Sequence, residues 1–226
     1  KNIIKINGKP LISYTIEQSM KSKLIGKTFV TTDDPEIASI SKKYGAIVPF
    51  KRPKKISGDF ATDFEVFFNF AKFLEKNGDL PDYFIHLRAT NPMRKLITID
   101  KAIKIMRQKS SYDSLRSVNI ASQSPYKMWL IKNNKLAQLI KYRNSDKSHS
   151  LPRQSLPIVY WQNGYIDIIK SSVILKKGSM TGRKIYPLII NEMIYEVDYP
   201  EDVVKLEKAI KKKTSISFKK KIRYPV

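Results

Sequence analysis

From residue 10 to residue 118 the chain alternates between two apolar periods, and this alternation restricts its fold more than any other feature. Short runs rich in β-branched and aromatic residues, at 27–32, 46–50, 83–87 and 114–118, fit strands. Helical stretches separate them. Pro10 at a first helical position opens one whose Leu11, Ile12, Ile16 and Met20 fall broadly on one side. Asp33-Asp34-Pro35-Glu36 is a helix start in which Asp34 caps, Pro35 suits the first turn and Glu36 suits the positive helix end; Gly45 can close that helix in the left-handed conformation. Thr62 or Asp63 caps a third, through Phe64, Phe67, Phe68, Ala71 and Leu74 to Asn77-Gly78, and Thr98 caps a fourth through Ile99, Ala102, Ile103 and Met106. Strands separated by helices of about ten residues imply βαβ units with right-handed crossovers. The expected class is α/β: a Rossmann-like, mixed but mostly parallel sheet flanked by helices.

The strand at 83–87 ends in polar chemistry. Arg88, Thr90, Asn91 and Arg94 surround Pro92. In an open α/β sheet, ligands sit beyond the carboxyl ends of the strands. Two guanidiniums there suit a phosphorylated or carboxylated ligand, because each offers paired N–H donors to anionic oxygens. A surface turn with ordinary cations is the alternative.

The pattern changes near Ser122. Residues 127–131 and 135–140 flank Asn133-Asn134 as a hairpin, and 141–157 is polar and irregular, with His149, Arg153 and Gln154. Aromatics at Tyr160, Trp161 and Tyr165 follow, then strands at 166–169 and 185–190 separated by a loop at 178–182. A strand at 195–198 precedes a helix that Pro200 starts and that runs to about residue 212. One domain over 1–212 is expected, with an excursion at 122–164 and a basic tail at 213–226 that is partly disordered or crosses to a partner. Glu196 and Asp198 stand two apart, so strand alternation turns both carboxylates the same way, an arrangement that suits Mg²⁺. Acidic capping of the next helix by Asp198 is the bland alternative.

Composition removes several classes. There is no cysteine, hence neither a disulfide nor a thiolate site in these 226 residues. No run approaches the roughly 18 apolar residues of a membrane span, and no signal-peptide pattern opens the chain. A cytoplasmic protein is expected. The net charge of +23 asks first for nucleic acid, yet the lysines are spread along the chain, dense only at 51–55, 211–213 and 219–221, with no nucleic-acid motif beside them. Solvated faces account for the charge, and nucleic acid is not the expected partner.

Six stretches in order carry a resemblance: KNIIKINGKPLISYTIE at 1–17, VTTDDPEIASISKKYGA at 30–46, HLRATNPMR at 86–94, SPYKMW at 124–129, PRQSLPIVYWQNG at 152–164 and EVDYPEDV at 196–203. Over residues 1–210 the chain resembles the acylneuraminate cytidylyltransferases, or CMP-sialic acid synthetases. The resemblance implies the nucleotide-diphospho-sugar transferase fold and Mg²⁺-dependent transfer from CTP to the anomeric hydroxyl of an α-keto acid sugar, releasing pyrophosphate. It also implies a homodimer, with the excursion reaching across the interface. By motif position Lys1 and Asn2 would reach phosphate and cytosine, Thr62, Thr90 and Arg94 would contact or frame the nucleotide, and Arg88 would line the site between base and sugar. Lys127, Arg153 and Gln154 would face the sugar or a neighbouring subunit, while Glu196 and Asp198 would hold the metal, with Asp198 and Arg88 central to catalysis.

Four departures qualify the resemblance. The family's glycine-rich phosphate loop lies directly before the KN pair, where this sequence starts; a chain lacking it would lose its first central strand and is expected to fold and bind CTP poorly. Arg88 stands where Gln is frequent and Asn91 where Ser is; Glu196 replaces the commoner Asp; and Asp167 takes a position where an aromatic is frequent. The acid could be sialic, legionaminic, pseudaminic or a relative of these. A nucleotidyltransferase for another base or sugar, and a non-catalytic nucleic-acid or interaction module, are the alternatives.

Overall fold

The structure, a computed structural model, describes residues 1–221, with side chains as far as residue 211. It opens on a hairpin, β1 (Lys5–Ile6) and β2 (Lys9–Pro10), turned by Asn7 and Gly8 at φ of 47° and 79°. An Asn-Gly pair tolerates both positive angles. Helices α1 (Leu11–Lys21), α2 (Pro35–Lys43) and α3 (Asp63–Lys76) follow, then β3 (Tyr83–His86), α4 (Leu96–Gln108) and β4 (Ser114–Ile120). A hairpin of β5 (Trp129–Lys132) and β6 (Lys135–Gln138) precedes β7 (Tyr160–Lys170), α5 (Ser171–Lys177), β8 (Ile185–Ile189) and α6 (Pro200–Lys221).

The main sheet has the order β3-β7-β4-β8. β7 is antiparallel to both neighbours while β4 and β8 are parallel, so β7 alone is reversed in a mixed sheet. The start of β7 therefore lies at the carboxyl ends of β3 and β4, which brings Asn163, Gly164 and Tyr165 beside the turn after β3. Alternation divides β7 between two cores. Ile166 and Ile168 pack with Ile99, Ile103 and Met106 of α4 on one face; Ile169 packs with Phe70 and Leu74 of α3 and Val173 and Ile174 of α5 on the other.

Helix ends follow the sequence closely in places. Asp34 Oδ1 accepts from the Glu36 and Ile37 amides at 2.7 and 3.0 Å, and Thr62 forms a reciprocal capping box with Glu65. Gly45 and Gly78 take positive φ after α2 and α3. Asn133 and Asn134, at φ of 50° and 60°, turn the β5–β6 hairpin as expected. Elsewhere tertiary structure prevails. Residues 27–32 and 46–50 run parallel but meet at isolated bridges, Phe29 to Ile47 and Thr32 to Lys51; Pro49 brings no N–H to extend a ladder. α4 begins ahead of Thr98, whose hydroxyl donates to Glu192 Oε1 at 2.7 Å. The strand expected at 166–169 is the end of the longer β7, because Tyr160 and Trp161 pair with Ile120 and Asn119. Residues 195–198 form no strand, though the Val197 amide donates to the Thr90 carbonyl at 2.9 Å. α6 runs past residue 212 to Lys221, with neither Gly nor Pro between Pro200 and Lys221 to interrupt it. The rest of the expected tail, 222–226, lies outside the described residues.

A cavity of about 950 Å³ lies between residues 24–31 and β3. Apolar side chains line it from α1, α3 and α4, including Ile16, Phe70 and Met106, and its polar lining includes Asn2, Arg52, Asp63, Arg88 and Thr90. β3 is an edge strand of the main sheet beside it.

Asp113 fixes the loop between α5 and β8. Oδ1 accepts from Lys177 Nζ at 2.7 Å and Oδ2 from the Arg183 and Lys184 amides at 2.8 and 3.2 Å. Gly182 sits against it at φ +67°, where an added Cβ would come within 2.5 Å of Asp113 Cβ. Gly182→Ala should therefore cost about 2–4 kcal/mol in denaturant melts, combining backbone strain with displacement of a buried carboxylate. The bond from Lys177, then those from the two amides, hold Asp113 far below the usual carboxylate range. A depressed folded pKa gives stability that is present above the unfolded value near 4 and is lost as pH falls. The stability gap between the wild type and Asp113→Asn is expected to narrow as the melts move below about pH 4.

Candidate active site

The turn after β3 is held by Arg94. This side chain is buried, at 3% exposure. Nε donates to the Tyr165 carbonyl, Nη1 to the Asn91 carbonyl and to Thr15 Oγ1, and Nη2 to the carbonyls of Arg88 and Gly164. A guanidinium has five N–H groups, and these five bonds use them. Burial draws its pKa down to about 9, still above neutrality, so the charge persists. Arg94 thus departs from the expected nucleotide contact: it clamps residues 88–94 to the start of β7 and has no donor left for a ligand.

Next to this clamp lie the paired carboxylates. Val197, buried among Ile6, Leu11 and Leu206, anchors their segment. Asp198 Oδ1 accepts from Lys1 Nζ at 2.7 Å, both side chains being about half exposed. Asp198 does not cap α6; its own amide and that of Tyr199 donate to Asp202 Oδ2 at 3.2 and 3.0 Å. Partial desolvation, then the charge of Asp198, pushes the Glu196 carboxyl up, against the opposing pull of Arg88, Lys1 and Arg94. Two carboxylates and two accessible cations, Lys1 and Arg88, therefore act on one small region.

A charged row crosses the sheet nearby, on the α3 face. Asp167 of β7 is in register with His86 of β3 and with Arg116 of β4. Arg116 Nη1 donates to Asp167 Oδ2 and Nη2 to the Met180 carbonyl at 2.9 Å. Arg88 Nη2 donates to Asp63 Oδ2 at 2.8 Å, at the start of α3. The His86 ring packs on Phe67 at 4.9 Å between centroids; desolvation, then Arg88, draws its pKa down to about 3, so it is neutral.

The expected residues divide into two groups. Lys1, Asn2, Arg88, Thr90, Glu196 and Asp198 gather at the carboxyl end of β3. Thr62 is near, but its hydroxyl and amide both bond to Glu65 Oε2, and its neighbour Asp63 reaches Arg88 instead. Lys127 lies in a short 3₁₀ turn at Pro125–Lys127, and Arg153 and Gln154 in another at Arg153–Ser155; all three are exposed. Among the described residues, no hydrogen bond or ion pair joins them to Arg88, Glu196 or Asp198. Sequence reasoning did not single out Asp63, His86, Arg116 or Arg52 as site residues. Arg52 lines the cavity with Asn2 and Thr90, held by Ser57 at 3.1 Å and Asp33 at 3.5 Å. The legible signal was Arg116, a charge inside the apolar strand at 114–118 that demands a buried partner.

The chain is 32% identical over 216 residues to the post-translational flagellin modification protein B of Campylobacter coli, covering 94% of this chain and 89% of that one. It is 30% identical over 164 residues to the pseudaminic acid cytidylyltransferase of Campylobacter jejuni, covering 73% and 68%. A solved CMP:2-keto-3-deoxy-manno-octonic acid synthetase, complexed with CTP, superposes with a TM-score of 0.68 at 15% identity, over 94% of this chain and 92% of that one, which supports the shared fold. Residues 1–219 match the cytidylyltransferase family, and the chain belongs to that family.

Proposed function

We propose that this protein transfers CMP from CTP to a nine-carbon α-keto acid sugar. The observation that carries the reading is the meeting of Glu196 and Asp198 with Lys1 and Arg88 at the carboxyl end of β3, inside a cytidylyltransferase fold. The acceptor's anomeric oxygen bonds to the α-phosphorus as the α–β phosphoanhydride bond breaks. Pyrophosphate leaves with that electron pair, and the hydroxyl proton passes to solvent. Such a reaction needs positioning and charge neutralisation rather than a covalent intermediate. Lys1 and Arg88 supply cations for phosphate and carboxylate.

The donor set fits Mg²⁺. Desolvation and the Asp198 charge make ionised Glu196 costly, and a hard cation between carboxylates relieves that cost. Among the described residues no cluster of three or more His, Asp or Glu forms, so phosphate and water would complete the coordination. Once bound, Mg²⁺ would neutralise triphosphate charge.

We also propose a homodimer. Ile131, Leu136, Ile158 and Trp161, in and beside the excursion, are 78, 63, 69 and 67% exposed, apolar surface that a second copy would cover. Such packing could bring Lys127, Arg153 and Gln154 to a neighbour's site. Among the described residues no helix is long and apolar enough to cross a membrane, and a cytoplasmic location accords with use of CTP.

The test is pyrophosphate release by the full-length protein with CTP, Mg²⁺ and a panel of sialic, legionaminic and pseudaminic acids. Turnover with CTP and one acid, abolished by EDTA, is expected. A preference for another nucleotide, or for a sugar phosphate, would overturn the assignment.

A further inference from the structure

Arg88 and Asp167 are two of the departures that qualify the resemblance read from the sequence, and in the fold they meet. Arg88 Nη1 lies 3.6 Å from Asp167 Oδ2, the oxygen that also accepts from Arg116. The Asp167 side chain is 1% exposed and Arg88 is 28% exposed. Asp167 Oδ1 and Arg116 Nε are buried without a partner, so the surroundings hold this carboxylate by charge rather than by a full set of hydrogen bonds. Gly164 leaves Arg88 its space: at φ +59°, a Cβ there would stand 3.3 Å from Arg88 Cδ and 4.0 Å from Glu196 Oε1. The stem of Arg88 therefore passes Gly164, where Glu196 also comes close, and its guanidinium ends between the buried Asp167 and the exposed Asp63.

Its two ion pairs differ in kind. Asp63 is 53% exposed, and a pair in that setting contributes at most about 1 kcal/mol. Asp167 acts from the interior, where charges are screened far less. A ligand carboxylate can replace Asp63 on the guanidinium, whereas Asp167 stays in place and keeps the guanidinium at the cleft wall.

Resting on the acceptor assignment made above, we infer that Asp167 is a positioning residue for acceptor choice: it holds Arg88 where the guanidinium binds the carboxylate of the acid sugar, and the pair acts as one unit. Asp63 is the contact that the sugar displaces.

The test uses full-length enzyme with CTP, Mg²⁺, the preferred acid and the methyl ester of that acid. Arg88→Gln and Asp167→Asn should each raise the KM of the acid about tenfold, the loss of one charge-assisted hydrogen bond, with the KM of CTP unchanged. The double variant should be no worse than Arg88→Gln alone, and the wild type's preference for acid over ester should shrink in all three. Asp63→Asn should lower the KM of the acid. Additive effects of the two substitutions, a parallel rise in the KM of CTP, or an unchanged preference over the ester would overturn the inference. Should Asp167→Asn fail to fold, Asp167→Glu, which keeps the buried charge but displaces it along a longer arm, takes its place: it should raise the KM of the acid and leave that of CTP, and an unchanged KM of the acid would overturn the inference. Failure of the proposed function has a separate signature, a wild type that releases no pyrophosphate with any acid of the panel, and the inference falls with it.

Discussion

Asp198→Ala is expected to lower turnover by about 10²–10³-fold, the scale on which removal of one preorganised electrostatic group acts, and to leave the melting temperature nearly unchanged. The two halves of this expectation rest on different observations. Asp198 is half exposed, and among the described residues its side chain has one partner, Lys1, in a surface pair that contributes roughly 0–1 kcal/mol. The fold does not depend on it. Its chemical role is another matter, since Asp198 is the charge that Glu196 feels most and the carboxylate that Lys1 addresses. Pyrophosphate release and a thermal melt on the same sample separate the two effects. Glu196→Gln should fall in the same direction with less loss, because the amide keeps an oxygen to offer. An Asp198→Ala enzyme with normal turnover would sink the metal-site reading.

Arg94→Ala has the opposite profile. It should destabilise the protein by about 3–5 kcal/mol, because a buried hydrogen-bond network loses five charge-assisted bonds at once, and remove activity together with stability. Truncation leaves the carbonyls of Arg88, Asn91, Gly164 and Tyr165 without this donor, those of Asn91 and Tyr165 in buried residues. It also frees the turn that aims Arg88. Arg94→Lys should not rescue, because an ammonium cannot send five donors in one plane to acceptors on three chain segments. Denaturant melts of the three proteins give the answer. A variant that keeps its stability and loses only CTP affinity would return Arg94 to the role of a nucleotide ligand.

Local chemistry made much of the first half legible. Asp34, Thr62 and Gly45 behave as their residue types dictate, since a cap bonds to amides two or three positions away. The position of β7 was not legible. Its apolar pattern said strand, but its place between β3 and β4 depends on pairing across the whole chain. The same limit applied at the site. Glu196 and Asp198 were visible as a pair by spacing, yet their segment is no strand, and it owes its place to one bond with Thr90 and to the burial of Val197. Arg94 looked like a ligand because a guanidinium near a phosphate site usually is one; only the fold reveals that four backbone carbonyls and the Thr15 hydroxyl have taken all its donors. Thr98 caps nothing for a related reason, its hydroxyl being drawn to Glu192 from another segment.

The single reversed strand also sets an order of events during synthesis. β3 and β4 do not touch each other; each completes its pairing with β7, whose residues leave the ribosome long after both. Until about residue 170 has emerged, the facing edges of β3 and β4 lack their sheet partner, although α1 to α4 can already form from local signals. Nascent chains stalled before β7 should therefore be helical, protease-sensitive and dependent on chaperones, and resistance should appear in one step once β7 is free to insert.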